Sequence, residues 1–306
     1  MRPRAALVAI VVVVGAVAAA CTPPPPPPPD PVSPIPVSRG NAVSGASYVF
    51  TDTTRTTPAF GTYPGDAVRT LPTTIWYPTD RTGPYPLVVF AHGFAVDPGF
   101  YRPLLKGIAA AGYVVVAPTL PLLSGRPAGP TDTVDWDAHF ADLQFVTSSV
   151  LDRSASGDTV LGGLVDPERI AVAGHSDGAL LAFGDALEGG RTDARVRAVI
   201  AYAAYLGGGA PYQANGRALL HFASEDDEYN DFAETVDWDH AVLGEPSWTV
   251  AVWGAGHAPP YTSPADPAFA VILATTIDFL DFQLKAQDWL PFAQDVAGNP
   301  AVVAFV

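Results

Sequence analysis

The stretch Gly174-His175-Ser176-Asp177-Gly178 lies between two apolar runs of different character. Before it, Arg169-Ile170-Ala171-Val172-Ala173 reads as a buried strand; after it, Ala179-Leu180-Leu181-Ala182-Phe183 reads as the start of a buried helix. A turn that sharp is crowded, so its flanking positions must be nearly free of side chain. Gly174 and Gly178 meet that need, and Ser176 is pushed out with its hydroxyl exposed. Two glycines around a serine can make a plain loop. The strand before and the helix after point instead to a nucleophilic serine.

The rest of the chain repeats the alternation. Ser47-Tyr48-Val49-Phe50 and Thr73-Thr74-Ile75-Trp76-Tyr77 are the first predicted strands, the second stopped by Pro78. Leu87–Ala91, Tyr113–Ala117, Val196–Ala201, Ala218–Phe222 and Trp248–Val252 follow, the last of these being the final predicted strand. Tyr101–Ala111 has helical spacing and ends at Gly112, a C-cap signal. Trp136–Leu151 and Ala268–Leu284 are further predicted helices. Strands apolar on both faces, alternating with helices, imply an α/β fold with a mostly parallel sheet covered on both sides. The first two strands have no helix between them and are expected to pair antiparallel at one edge. In such sheets ligands bind beyond the C-terminal strand ends.

Composition narrows the partners. The chain has 306 residues, 48% hydrophobic and only 15% charged, with a formal charge of −15. Phosphate neutralisation needs clustered Lys and Arg, and the only lysines are Lys106 and Lys285, so nucleic acid is excluded. The N-terminus reads as an export signal over residues 1–20: Arg2 and Arg4, then the apolar run Ala5–Val17, too short for a comfortable membrane span, then Ala18-Ala19-Ala20. Cys21 follows at once and is the only cysteine, so no internal disulfide forms. This arrangement resembles a bacterial lipoprotein signal, which implies lipidation of Cys21, a cell-surface membrane anchor and otherwise secretion. Pro23–Pro29, continued by Pro31, Pro34 and Pro36, makes residues 21–37 a stiff polyproline II spacer. Residues 38–306 then form a single catalytic domain, expected to act as a monomer.

A serine hydroxyl needs a base, and the base needs an orienter. Of six histidines, His139 falls within a helix and His221 within a strand, as packing or surface residues. His240 ends a polar amphipathic stretch, and His175 adjoins the serine but points elsewhere. His257 follows the last predicted strand in Gly254-Ala255-Gly256-His257-Ala258-Pro259 and is the expected general base. The acid should lie between serine and histidine in chain order. The strand ending at Phe222 is followed by Ala223-Ser224-Glu225-Asp226-Asp227-Glu228, with Asp226 the expected acid and Asp227 the alternative. A calcium loop is another reading of this cluster, but its spacing does not match an EF-hand; no metal and no cofactor are expected. The oxyanion is assigned to two backbone N–H groups. One is that of Asp177, after the nucleophile; the other is that of Phe94, in His92-Gly93-Phe94-Ala95.

Val88–Phe94, Gly112–Pro118, Gly174–Gly178 and Gly256–Pro259 together resemble the α/β-hydrolase superfamily, over about residues 45–285. Within it the chain is similar to bacterial cutinases and polyester hydrolases, and to chlorophyllase-like and platelet-activating-factor acetylhydrolase-like esterases. The resemblance implies ester hydrolysis through an acyl-serine intermediate. The interval between Asp226 and His257 is short and carries no long apolar insertion to serve as a lid, which points to accessible esters of short to medium acyl length. Asp177 departs from the apolar residue that cutinase-like enzymes commonly carry after the nucleophile. Phe94, Trp136 and Tyr205 are candidate pocket residues, and Gly125–Asp135 a candidate rim loop. Thioester or amide cleavage, perhydrolysis, and a non-catalytic surface-displayed binding protein are the competing functions.

Overall fold

The computed structural model describes residues 40–80, 82–124, 135–187, 191–204 and 217–306. The expected export signal, Cys21, the proline-rich spacer, Tyr205 and residues 125–134 of the expected rim loop lie outside them.

Nine strands form one sheet in the order β1-β2-β4-β3-β5-β6-β7-β8-β9. They are β1 (Val43–Asp52), β2 (Arg69–Pro78), β3 (Tyr85–Ala91), β4 (Val114–Pro118), β5 (Val165–His175), β6 (Val196–Tyr202), β7 (Ala218–Ser224), β8 (Ser247–Val252) and β9 (Val303–Phe305). The run β4-β3-β5-β6-β7-β8 is parallel throughout, while β1–β2, β2–β4 and β8–β9 pair antiparallel. The expected antiparallel edge is therefore present. The far edge differs from the sequence reading, because β9 adds a further strand beyond β8. Three residues are too few for a period-2 pattern to stand out.

The central strands are buried on both faces, and their side chains alternate between two core layers as the pleat requires. Val88 and Phe90 of β3 face one core layer; Leu87, Val89 and Ala91 face the other. The first layer is completed by the helices α1 (Arg102–Ala110), α6 (Phe269–Lys285) and α7 (Leu290–Ala297). The second is completed by α2 (Trp136–Ala155) and α3 (Asp177–Leu187), with Trp238 of α4 (Phe232–Val242) packed against it. α5 (Pro259–Thr262) is a single turn after β8. No helix among the described residues is long and apolar enough to cross a membrane.

Gly112 does terminate α1: it takes φ +89°, in the left-handed region, and its N–H bonds Ala109 O at 3.0 Å. The same turn is held from the other side by Lys285, which is buried. Its Nζ donates to Ala111 O at 2.7 Å, pairs with Asp281 at 2.9 Å and sits 3.9 Å from the centre of the Tyr113 ring.

Arg69 at the start of β2 is also fully buried. Its guanidinium grips Asp142 of α2 through Nε at 2.6 Å and Nη2 at 2.5 Å, and also meets Asp135. Asp142 accepts a second cation, Arg55, at 2.8 Å. Removing one member of such a group leaves a buried charge without its partner. Arg69→Met should therefore lower unfolding stability by about 3–5 kcal/mol in urea titrations. Arg55→Met, on the more exposed side, should cost about 1 kcal/mol or less; equal losses for both would contradict this account.

Candidate active site

Strand β5 runs straight into the elbow. Ser176 holds φ +56°, a left-handed conformation that strains a residue with a side chain. The strain is over-determined by its surroundings. Ser176 N–H donates to Tyr202 O at 3.0 Å, and Ser176 O accepts from the N–H groups of Ala179 at 2.8 Å and Leu180 at 3.1 Å. Both flanking glycines are sterically required. A Cβ at residue 178 would lie 2.1 Å from Ala91 O, and one at residue 174 would lie 2.0 Å from Gly178 O.

The Ser176 hydroxyl lies 2.8 Å from His257 Nε2, and His257 Nδ1 lies 2.8 Å from Asp227 Oδ2. An ionised carboxylate only accepts, so Nδ1 carries the proton and Nε2 is left to accept from the serine. The other oxygen of Asp227 accepts the N–H groups of Tyr229 at 2.9 Å and Asn230 at 3.1 Å. Burial pushes Asp227 up, but His257, Tyr229 and Asn230 outweigh it and hold the carboxyl below its ordinary value.

Asp226 is not the carboxylate that meets His257. The hydrogen-bonded strand β7 continues two residues past Phe222, to Ser224, so counting from the apolar run misplaces the loop. Asp226 instead uses its N–H to bond Ala255 O at 2.9 Å, and it is exposed. The neighbouring glutamates also tie this loop to the histidine loop: Glu225 accepts Gly254 N–H at 2.9 Å, and Glu228 accepts His257 N–H at 3.0 Å. Within the acidic cluster read as a possible calcium loop, the carboxylates of Glu225, Asp227 and Glu228 thus meet separate hydrogen-bond partners.

Two buried histidines organise the loop after β3. Leu120 N–H donates to His92 Nε2 at 2.9 Å, so His92 Nδ1 carries the proton and donates to Gly93 O at 2.8 Å. In a trans peptide the carbonyl and the next N–H point opposite ways, so this bond directs the Phe94 N–H away from His92. The N–H groups of Phe94 and Asp177 make no hydrogen bond among the described residues. The Gly93 backbone packs against Ser176, since a Cβ there would lie 3.2 Å from Ser176 Cβ.

His175, next to the serine, does point elsewhere. Its Nε2 donates to His257 O at 2.7 Å, which leaves Nδ1 to accept from the Tyr101 hydroxyl at 2.9 Å. Tyr101 in turn accepts the Gly93 N–H at 3.1 Å. One chain of hydrogen bonds therefore joins the loop after β3 to the backbone of His257. The signal for Tyr101 in the sequence is only an aromatic at helical spacing, which reads as core. Burial drives His175 down to about 3 and His92 to about 4, so both rings stay neutral.

These loops border a cleft of about 790 Å³, lined by Phe94, Phe100, Ser176, Asp177, Tyr229 and His257 among others. Burial raises the Asp177 carboxyl, with His257 opposing the rise. Trp136, expected at the pocket, instead packs edge-on against His139 and Phe140 within α2 and does not line this cleft. His139 donates to Pro121 O at 2.9 Å, and His221 is buried 2.6 Å from Asp239. Both serve packing.

A family model described as Chlorophyllase matches residues 56–221. Chlorophyllase type 0 of Chenopodium album is 35% identical over 109 residues, which make up 35% of this chain and 30% of that protein. The chain thus spans less than a third of the length of that curated relative. The family match takes in the loop after β3 and the elbow; Asp227 and His257 lie beyond it.

The neutral buried histidines set a pH dependence of stability. Their folded pKa values lie below the ordinary 6.5, so the unfolded chain binds more protons as pH falls. Stability should therefore be full above about pH 6.5 and fall by about 1.4 kcal/mol per pH unit for each ring below it. For His92 the loss continues to about pH 4 and for His175 to about pH 3. Urea unfolding at pH 7, 6 and 5 reads this out, and a flat profile would refute it.

Proposed function

The chain belongs to the chlorophyllase family, and from that premise we propose that it is a serine carboxylic-ester hydrolase working through an acyl-serine intermediate. The observation that carries this reading is the continuous contact from Ser176 through His257 to Asp227, at 2.8 Å for each link. Ser176 Oγ attacks the acyl carbon while its proton passes to His257 Nε2. Asp227 keeps the ring in the correct tautomer and stabilises the imidazolium. The N–H groups of Phe94 and Asp177 receive the oxyanion. Collapse of the tetrahedral species expels the alcohol oxygen, which takes the proton from His257. Water, deprotonated by the same nitrogen, then attacks the acyl carbon and releases the acid and Ser176.

The cleft supports accessible esters of short to medium acyl length. In the interval between Asp227 and His257, α4 and β8 take up most of the chain. The rim of the cleft carries the exposed rings of Phe94, Phe100 and Tyr229. Export and lipidation of Cys21 stay part of the proposal on the strength of residues 1–21 alone.

With a p-nitrophenyl ester, Ser176→Ala should lower the rate at least about a thousandfold. Asp227→Asn should lower kcat by a comparable factor, because the imidazole loses its orienting acceptor. Asp226→Asn should stay within about twofold of the parent, as a surface substitution away from these contacts. A serine-directed phosphonate should label Ser176 in intact-protein mass spectra. Labelling elsewhere with Ser176 untouched, or equal rates for parent and Ser176→Ala, would end the proposal. Uptake of labelled fatty acid by the full chain, lost in Cys21→Ala, tests the anchor.

A further inference from the structure

The cleft around Ser176 has a one-sided charge. Among its described lining residues the acidic side chains are Asp177 and Glu228, and none is Lys or Arg. Asp177 opens α3 directly after the nucleophile, is half-buried, and makes no side-chain hydrogen bond or ion pair among the described residues. The positive end of that helix and His257 are its favourable neighbours. Glu228 stands beside the base, where one of its oxygens accepts His257 N–H at 3.0 Å.

Aromatic groups line the same cleft. The Tyr229 ring centre is 4.8 Å from that of His257, edge to face, and Tyr229 is 76% exposed. Phe94 and Phe100, each 45% exposed, line the cleft with it. Exposed rings next to carboxylates are the surroundings in which a quaternary or protonated amine is stabilised. The ring faces attract the cation, and the carboxylates add a direct Coulomb term. An anion in the same place meets two like charges.

His257 Nε2 fixes which half of the ester lies there. That nitrogen protonates the leaving oxygen, so the alcohol half must pass beside His257, and hence beside Glu228 and Tyr229.

Resting on the esterase reading above, we propose that this cleft selects esters by the charge of the alcohol half, preferring those of amino or trimethylammonium alcohols over neutral isosteres and rejecting those bearing a carboxylate. Asp177 and Glu228 are the specificity-determining side chains, and Tyr229 supplies the ring face.

The test compares three acetate esters at low salt. One is that of choline; the second is its uncharged isostere, with tert-butyl in place of trimethylammonium; the third carries a carboxylate at that position. The parent should give kcat/KM about tenfold higher for the choline ester than for the neutral one, and about tenfold lower for the anionic one. Both ratios should shrink as salt is raised. In Asp177→Asn/Glu228→Gln both ratios should approach one, and taking ratios within each protein removes any general loss of kcat. Phenyltrimethylammonium ion should inhibit the parent competitively against the neutral ester, at concentrations where neutral tert-butylbenzene does not. This second arm does not depend on the variant folding. A choline-to-neutral ratio at or below one in the parent, ratios unmoved in the double variant, or no competitive inhibition by the cation would overturn the proposal. If the neutral ester is hydrolysed and Ser176→Ala abolishes that, the esterase reading stands whatever the ratios show. If no ester is hydrolysed, the esterase reading itself has failed.

Discussion

At the elbow, backbone meets backbone with no room between them. The start of α3 lies so close to the end of β3 that any Cβ at residue 178 would overlap Ala91 O, and the approach brings Gly93 against Ser176 as well. Two loops separated by more than 80 residues in sequence are thereby made one surface, with Ser176 and the Asp177 N–H on one side and the Phe94 N–H on the other. The left-handed Ser176 follows from the same packing. Its backbone cannot relax toward an ordinary conformation without lifting α3 from the sheet. Local strain of order 1–3 kcal/mol is sustained by the buried layers on either side.

What the elbow begins, buried polar groups complete. His92 fixes the Gly93 carbonyl, Tyr101 fixes the Gly93 N–H, and His175 carries the connection to the His257 carbonyl. Both ring nitrogens of His92 and of His175 have partners, which is the condition for a buried polar network to hold a geometry rather than weaken it. The rings must also be neutral, because a protonated His175 or His92 would present a donor where the chain needs an acceptor. On the opposite flank, Glu225, Asp226, Asp227 and Glu228 each bond a different group of the histidine loop. His257 is thus held by its backbone from both sides and by its ring from a third.

Much of this was readable from the sequence. Strong apolar runs gave the central strands, the glycine pair gave the elbow, and the loops after Ala91 and Val252 gave the positions of Phe94 and His257. The failures have physical causes. Strand β7 outlasts its apolar run because Ala223 and Ser224 stay in the ladder with β8, so the loop starts later than the run suggests, and the carboxylate that meets His257 is Asp227 and not Asp226. β9 is too short to show a period, and α4 mixes acidic with aromatic residues in a way that hides its buried side. Trp136 is apolar and adjacent to a loop, but its ring is taken up by its own helix. Tyr101 and His175 could not be paired in advance, since nothing in sequence spacing reports a hydrogen bond between residues 74 positions apart.

The family match ends at residue 221, between the two halves of this machinery. Before that point lie Ser176 and the N–H groups proposed to receive the oxyanion. After it lie Asp227, His257 and the side chains proposed to face a departing alcohol. Around the site the two halves meet through the contact of Ser176 with His257, the bond from His175 Nε2 to His257 O and the bond from Asn230 Nδ2 to Ala203 O. Asp177 belongs to the first half by position, yet it lines the cleft together with Glu228. The charge of the cleft is therefore set jointly by both halves, while the placement of the nucleophile is set by one.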